Sequence, residues 1–179
     1  MVISLKVILL GESGVGKTAI LNQFIKGIFD KDLLISLSAQ FISKTIILEE
    51  LNQAIKFDIW DTPGLTQYRP LCKIYYKDAD VICLCYDSTS KHTFEELKDY
   101  WYEKEIKINL ETDPIIVIVA TKNDLKKQVE DEEAKAFAKE INAIFQSTSA
   151  KSNIGIKFLF ENIAKKYFDP SYVCNEIEN

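Results

Sequence analysis

The stretch GESGVGKT at residues 11–18 decides the fold, because it follows the apolar segment Lys6–Leu10 and fits the pattern GxxxxGK[ST] at every fixed position. A glycine-rich turn that leads into a helix points several backbone N–H groups at one spot, where they bind phosphate oxygens together with the helix dipole. Lys17 is predicted to contact the outer phosphates, and the Thr18 hydroxyl to bind a bridging Mg²⁺. The alternative is a glycine turn that merely connects a strand to a helix. The predicted site, of the P-loop NTPase type, comprises Ser13, Gly14, Val15, Gly16, Lys17, Thr18 and Ala19.

The chain around this loop has the size and composition of one globular domain. It has 179 residues, of which 47% are hydrophobic, so it can bury a sizeable core. Its 22 Lys and Arg residues against 27 Asp and Glu residues give a net charge of −5, which argues against nucleic-acid binding through bulk charge. The longest apolar run, Ile115–Ala120, is far shorter than the roughly 18 residues of a transmembrane helix.

Short apolar runs alternate with helical patterns along the chain, which predicts an α/β fold around a mostly parallel sheet. A short turn between the second and third of these runs predicts a hairpin and hence one antiparallel edge strand. The segments Gly27–Ser38 and Thr62–Cys72 fit neither pattern and are candidates for moving parts. Strands are predicted at Ser4–Leu10, Ala39–Glu49, Ile55–Trp60, Asp80–Tyr86, Ile115–Thr121 and Ala143–Ser147. Helices are predicted at Lys17–Lys26, Phe94–Ile108, Asp131–Asn142 and Ile156–Phe168.

The tetrapeptide DTPG at residues 61–64 follows the third predicted strand. A carboxylate at the tip of a buried strand beside a phosphate loop is where P-loop enzymes make a further contact to Mg²⁺. We therefore assign that contact to Asp61. Gly64 would bring its backbone N–H to a γ-phosphate without a side chain in the way. The pattern alone is weak, because any Asp-x-x-Gly turn matches it.

Two further motifs follow the last two predicted strands, TKND at residues 121–124 and TSAK at residues 148–151. Open α/β sheets bind ligands at such carboxyl ends. The Asp124 carboxylate can accept hydrogen bonds from guanine N1–H and the N2 amine together, a pair that adenine lacks. Ordinary strand-end turns are the alternative for each motif taken singly. The predicted base site comprises Thr121, Lys122, Asp124, Ser149, Ala150 and Lys151, with Lys122 along the base plane and the Ala150 N–H on guanine O6.

The four cysteines do not resemble a disulfide framework. Cys83 and Cys85 lie two apart in a predicted strand and point to one face, which indicates reduced thiols in a core. The first ten residues carry only Lys6 and have no signal-peptide pattern. These features predict a cytoplasmic protein.

The motifs GESGVGKT, DTPG, TKND and TSAK, in this order, resemble those of the Ras superfamily of small GTPases, from about Leu5 to Phe168. The segments KFDIWD (56–61), YYKDAD (75–80) and LCYDST (84–89) are similar to the Rab branch. The resemblance implies a G domain with a six-stranded sheet and five helices. It implies Mg²⁺-dependent exchange of GDP for GTP, two switches around the γ-phosphate, and a role in vesicle trafficking.

Partners are also implied by this resemblance: an exchange factor, a GTPase-activating protein and effectors. Phe41, Trp60 and Tyr75 would form the aromatic patch that effectors contact, although the residues themselves equally fit edge-of-core aromatics. In the first switch Ser36 stands where a Rab has a metal-binding Thr, and it keeps the hydroxyl. Phe29 aligns with the aromatic that packs on the guanine edge, and an ordinary core Phe is the alternative.

The second switch departs from the family pattern DTAGQE, because Leu65 replaces the Gln that orients the attacking water. Leucine has no donor or acceptor, and phosphoryl transfer depends on positioning, so slow intrinsic GTP hydrolysis is expected. Gln67 lies two residues away and is a poor substitute. Activating proteins of Rabs commonly supply an Arg and a Gln in trans, which would restore turnover.

The expected organisation is a G domain at residues 1–170 with a short tail at residues 171–179. Cys174 is sixth from the end, so this C-terminus carries no prenylation signal and does not support membrane anchoring. Peripheral association with the cytosolic face of endomembranes is expected only if a longer natural chain is lipidated.

Three functions compete on the sequence. The first is a Rab-like GTPase with weak intrinsic hydrolysis, in which Lys17 and Gly64 serve the reaction and Leu65 marks the lost Gln. The second is a non-hydrolysing module that binds guanine nucleotide and recruits partners. The third is a nucleotide kinase, which TKND and TSAK disfavour because they suit guanine.

Overall fold

The computed structural model describes residues 2–173, which form a six-stranded sheet with the strand order β2-β3-β1-β4-β5-β6. Only β2 runs antiparallel to its neighbour, and it pairs with β3 from Gln40 opposite Asp61 to Leu48 opposite Gln53. The predicted α/β class and antiparallel edge are thus confirmed. The strands are β1 Ile3–Leu10, β2 Gln40–Leu48, β3 Gln53–Asp61, β4 Val81–Asp87, β5 Ile115–Thr121 and β6 Ile144–Ser147.

Five helices lie within the described residues, the number that the family resemblance implies. The third is one continuous helix of three segments, Lys91–Glu96, Leu97–Ile106 and Lys107–Asn109, of which the middle one is π-helical. A single 3₁₀ turn, Thr66–Tyr68, precedes α2. None of the helices described between residues 2 and 173 combines the length and apolar character needed to cross a membrane. The helices are α1 Lys17–Lys26, α2 Arg69–Tyr76, α3 as given, α4 Asp131–Glu140 and α5 Ile156–Phe168.

Two local predictions need correction. Helix α2 begins inside the segment Thr62–Cys72, which the sequence left without an assignment. The helix predicted at Phe94–Ile108 rests on apolar positions at three- and four-residue steps that include Ile108, but that side chain is 73% exposed and Ile106 is buried instead. The π-helical segment is the reason, since its i→i+5 spacing puts Ile106 on the same face as Trp101. The segment Gly27–Ser38 has neither helix nor strand, as expected.

The sheet is covered on both faces. Alternate residues of β1, β4 and β5 enter two separate clusters: in β1, Val7 and Leu9 pack with α1 and α5, whereas Ile8 and Leu10 pack with α2, α3 and α4. Cys83 and Cys85 are fully buried free thiols in the first cluster. Burial raises the pKa of the Cys85 thiol to about 12, so neither metal binding nor oxidation is favoured there. Cys174 and the rest of the predicted tail beyond residue 173 lie outside the described residues.

Candidate nucleotide site

The loop between β1 and α1 contains glycines whose backbone angles would be strained in a residue with a side chain. Gly14 and Gly16 have positive φ angles of 76° and 104°, and Gly16 is the N-cap of α1. The buried Lys17 Nζ donates to the carbonyl oxygens of Gly11 at 2.8 Å and Glu12 at 2.9 Å. Burial also lowers the pKa of this ammonium. The loop thus presents backbone donors and one confined cation to the same space, which suits phosphate oxygens.

The loop is anchored to the centre of the sheet. The buried Thr121 hydroxyl, at the end of β5, is shared between the carbonyl oxygen of Val15 and, at 3.0 Å, that of Tyr86 on β4. Three elements therefore meet at one side chain. Thr121 was predicted on the base side, and the structure places it as a link between the base and phosphate sides.

Three oxygen-bearing side chains converge beside the loop. Thr18 Oγ1 donates to Asp61 Oδ2 at 2.5 Å and shares a 2.8 Å hydrogen bond with Ser36 Oγ. Burial raises the pKa of the Asp61 carboxyl, whereas the Thr18 hydrogen bond and the Lys17 charge oppose that shift. The structure thus brings together all three predicted metal-site residues.

The donor set fits a hard cation. Asp61 Oδ1 and Ser13 Oγ are buried and have no hydrogen-bond partner within the described residues. Such groups are costly unless a ligand or ion satisfies them. Carboxylate and hydroxyl oxygens are ligands that Mg²⁺ prefers, so Thr18, Ser36 and Asp61 could hold that ion.

Gly64 touches the phosphate loop directly. A Cβ at this position would lie 2.4 Å from the Ser13 backbone nitrogen and 2.5 Å from the Glu12 carbonyl carbon. Leu65 follows in an extended conformation, with φ −70° and ψ 137°, and its side chain is half-buried. Gln67 is exposed. The first side chain after the close approach is therefore apolar.

A cavity of about 140 Å³ lies beyond the phosphate side and is lined in part by Phe29, Ala150 and Asp124. Asp124 Oδ1 accepts from Ser149 Oγ at 2.6 Å, and Lys151 Nζ lies 3.9 Å from its other oxygen. One carboxylate therefore stands oriented at the wall of a mostly apolar pocket. This geometry suits a planar ring that offers adjacent N–H donors.

The phosphate cavity, of about 200 Å³, and this second cavity form adjacent chambers. Both are lined by Gly16, Ala19, Phe29 and Lys122. Phe29 is 42% exposed and lies outside the core, so the core-Phe alternative is wrong. A ligand with a ring at one end and phosphates at the other matches the combined shape.

Asp87 was missed by the sequence analysis. Its Oδ2 accepts from Lys122 Nζ at 2.6 Å, and Lys122 itself has a left-handed φ of 57°. The pair fixes the long lysine side chain at the boundary of the two chambers. The available signal was an Asp at the carboxyl end of β4, where ligand-binding residues of parallel sheets gather.

The predicted aromatic patch is continuous. The ring centroids of Phe41 and Trp60 are 5.0 Å apart, and those of Trp60 and Tyr75 are 5.4 Å apart. Phe41 is 51% exposed, whereas the other two also pack on the α2–α3 cluster. The patch is therefore partly exposed and partly an edge of the core, and its contact with effectors stays a prediction.

The fold and these chambers define a nucleotide-binding protein of the P-loop class. A sequence model of the Ras family matches residues 6–169, and the chain belongs to that family. It is 42% identical over 163 residues to Ras-related protein RabJ of Dictyostelium discoideum. That match covers 90% of this chain and 62% of the relative, so the chain spans less than two thirds of its length. The predicted Ras-superfamily, Rab-like assignment is confirmed, and proteins of this family bind GTP or GDP with Mg²⁺ and hydrolyse GTP.

Proposed function

We propose that this chain is a Rab-like guanine-nucleotide switch whose intrinsic GTP hydrolysis is weak. The observation that carries the proposal is the apolar Leu65 directly after Gly64, at a site where Thr18, Ser36 and Asp61 converge beside the phosphate loop. Residues 1–170 would form the nucleotide-binding domain, with residues 171–179 as a tail.

The phosphate end of the nucleotide would lie over Ser13–Ala19. Lys17 would exchange its two carbonyl partners for the outer phosphate oxygens, and the freed Gly11 and Glu12 carbonyls would stay at the loop. The Gly64 N–H would meet the γ-phosphate only in the triphosphate state. Bound Mg²⁺ would neutralise phosphate charge, held by Thr18, Ser36 and Asp61.

The base end would lie in the second chamber. Asp124, oriented by Ser149 and Lys151, would accept both guanine donors, and the Ala150 N–H would reach O6. Lys122, fixed by Asp87, would lie along the base, and Phe29 would cover its edge. Adenine leaves the Asp124 carboxylate without donors, which supports a preference for guanine.

Hydrolysis needs a water held in line with the γ-phosphate. Leu65 has no group that can hold it, and Gln67 is turned to solvent. An activating protein that supplies an Arg would restore about 10³–10⁵ in rate. The chain would therefore remain in the GTP state until an activating protein stimulates hydrolysis.

Partner proteins would recognise the nucleotide state at the two candidate moving segments, Gly27–Ser38 and Thr62–Cys72. The patch of Phe41, Trp60 and Tyr75 is continuous and partly exposed, and it would contact effectors. Exchange factors and activating proteins would act on the same side. The proposed role is in vesicle trafficking, with peripheral association at the cytosolic face of endomembranes.

A second candidate is a module that binds guanine nucleotide without hydrolysing it. The apolar side chain of Leu65 favours this candidate as well, because it cannot orient the water that hydrolysis requires. Phosphate release over hours, with and without a Rab-directed activating protein, separates the two. Any release above the buffer blank supports the enzyme, and none in either condition supports the module.

The test compares single-turnover GTP hydrolysis by the natural sequence, Leu65→Gln and the matched control Gln67→Ala. We expect Leu65→Gln to raise the rate on the order of 10²-fold, the scale of a restored positioning group. Gln67→Ala should leave the rate unchanged. A natural rate equal to that of an ordinary Rab, or no gain in Leu65→Gln, would refute the proposal.

A further inference from the structure

The side chain of Glu12 leaves the phosphate loop on the side away from the nucleotide chambers. Its Oε1 accepts from Arg69 Nη2 and, at 3.1 Å, from the Trp101 indole N–H. The Arg69 and Glu12 side chains are only 11% and 16% exposed. A charged group of the loop is thus paired in a place with little water.

Arg69 is the first residue of α2 and is held on several sides. It donates to Glu96 Oε2 at 2.8 Å, and its guanidinium lies 4.0 Å from the centroid of the Tyr100 ring. Charge-assisted bonds and cation–π contacts are strongest when partly shielded from water. The phosphate loop, α2 and α3 therefore meet at one guanidinium.

The π-helical segment of α3 makes this meeting possible. Glu96 and Trp101 are five residues apart, a separation that in an α-helix turns the two side chains about 140° away from each other. The i→i+5 repeat of a π-helix returns them to one face, with Tyr100 beside them. Both can then reach Arg69 and Glu12.

The backbone of Glu12 lies at the centre of the phosphate site. Its carbonyl oxygen accepts from Lys17 Nζ at 2.9 Å, and a Cβ on Gly64 would stand 2.6 Å from the same oxygen. The two groups assigned to the γ-phosphate therefore touch this one residue. The carboxylate of Glu12 is only a few bonds from this carbonyl, and Arg69 pairs with it, so its charge and position depend on Arg69.

We propose that Arg69 is a positioning residue that neutralises Glu12 and thereby sets the preference of the loop for a triphosphate over a diphosphate. An unpaired carboxylate in this loop would repel GTP more than GDP, because GTP carries the additional charge. The inference deepens the proposed function and depends on it.

The experiment titrates fluorescent GTP and GDP, with Mg²⁺, into the full chain and its variants. Arg69→Met should lower the ratio of GTP to GDP affinity about tenfold, because it leaves the carboxylate charged. Glu12→Gln also breaks the ion pair but removes the charge, so its ratio should not fall. The double variant Arg69→Met with Glu12→Gln should regain the natural ratio.

Tyr76→Phe is the matched control. It removes the 2.5 Å hydrogen bond from the Tyr76 hydroxyl to Glu105, which joins the same two helices without reaching the loop. It should lower the melting temperature and leave the ratio unchanged. Arg69→Gln also removes the cation but keeps a polar side chain, and it serves if Arg69→Met does not fold; its ratio should fall by a similar factor, since the Glu12 carboxylate again lacks its counter-charge.

An unchanged ratio in Arg69→Met, or in Arg69→Gln where that variant replaces it, overturns the inference. So does an equal fall in Glu12→Gln or in Tyr76→Phe, because the role would then be only structural. If the natural chain binds neither nucleotide, the proposed function fails and the inference fails with it. If only the inference fails, the natural chain binds both GTP and GDP, and the ratio of the two affinities does not change when residue 69 is replaced.

Discussion

Gly64→Ala tests whether the second switch works by close backbone approach. In the structure the added Cβ would stand 2.4 Å from Ser13 N and 2.6 Å from the Glu12 carbonyl oxygen, whereas ordinary contact begins near 3.4 Å. Both neighbours are backbone atoms of a loop anchored to the sheet, so Gly64 itself must retreat by about 1 Å. A hydrogen bond from its N–H to a charged γ-phosphate, worth about 1.5–3 kcal/mol, is then lost.

The expected result is GTP binding weakened by about 10- to 150-fold, with GDP binding unchanged. Titration with fluorescent GTP and GDP measures both constants. The control is Gly27→Ala, where a Cβ meets nothing within 4 Å but φ is 66°, so it should cost stability without changing the ratio. If Gly64→Ala binds GTP within threefold of the natural chain, the close approach has no role in recognising the γ-phosphate.

Two further predictions concern the base pocket and strand β3. Asp124→Asn should weaken GTP and GDP binding alike, on the order of 10²-fold, because two charge-assisted bonds are lost, and equal affinity in the titration would refute the base assignment. Asp58 is paired with Lys56 and accepts from Ser4 and Ser43; burial opposes its charge, but these partners prevail and lower its pKa to about 2. Since this pKa lies below the unfolded value, the carboxylate stabilises the fold above about pH 4 and loses that effect as the pH falls toward 2. Asp58→Asn should therefore melt about 2–4 °C lower at pH 7, and scans at successively lower pH should show the difference narrowing.

The strands could be predicted because their signal is local. Runs such as Ile115–Thr121 are apolar on both faces, and the structure buries them on both faces. Helix α2 gave no such signal, since it has eight residues, has Pro70 in its first turn and is held by α3 through the Tyr76–Glu105 hydrogen bond. The π-helical part of α3 was also hidden, because Phe94, Leu97 and Trp101 fit an ordinary helical repeat.

The site divides in the same way. The phosphate loop and TKND are each one unbroken stretch of sequence, so the residue types alone predict their chemistry. The partners that orient them come from elsewhere in the chain: Asp87 is 35 residues from Lys122, and Trp101 is 89 residues from Glu12. Such pairings depend on the three-dimensional packing of strands and helices, which a single sequence does not display.

On the proposed function, nucleotide recognition and nucleotide turnover would depend on different residues of the second switch. Gly64 and Arg69 are both held against the phosphate loop, whereas Leu65 between them offers no polar atom to a water. The binding free energy would come from the loop, Lys17 and the base pocket, none of which needs position 65. The GTP state should therefore form as in other family members, and its lifetime should be set by the activating protein that supplies the missing group.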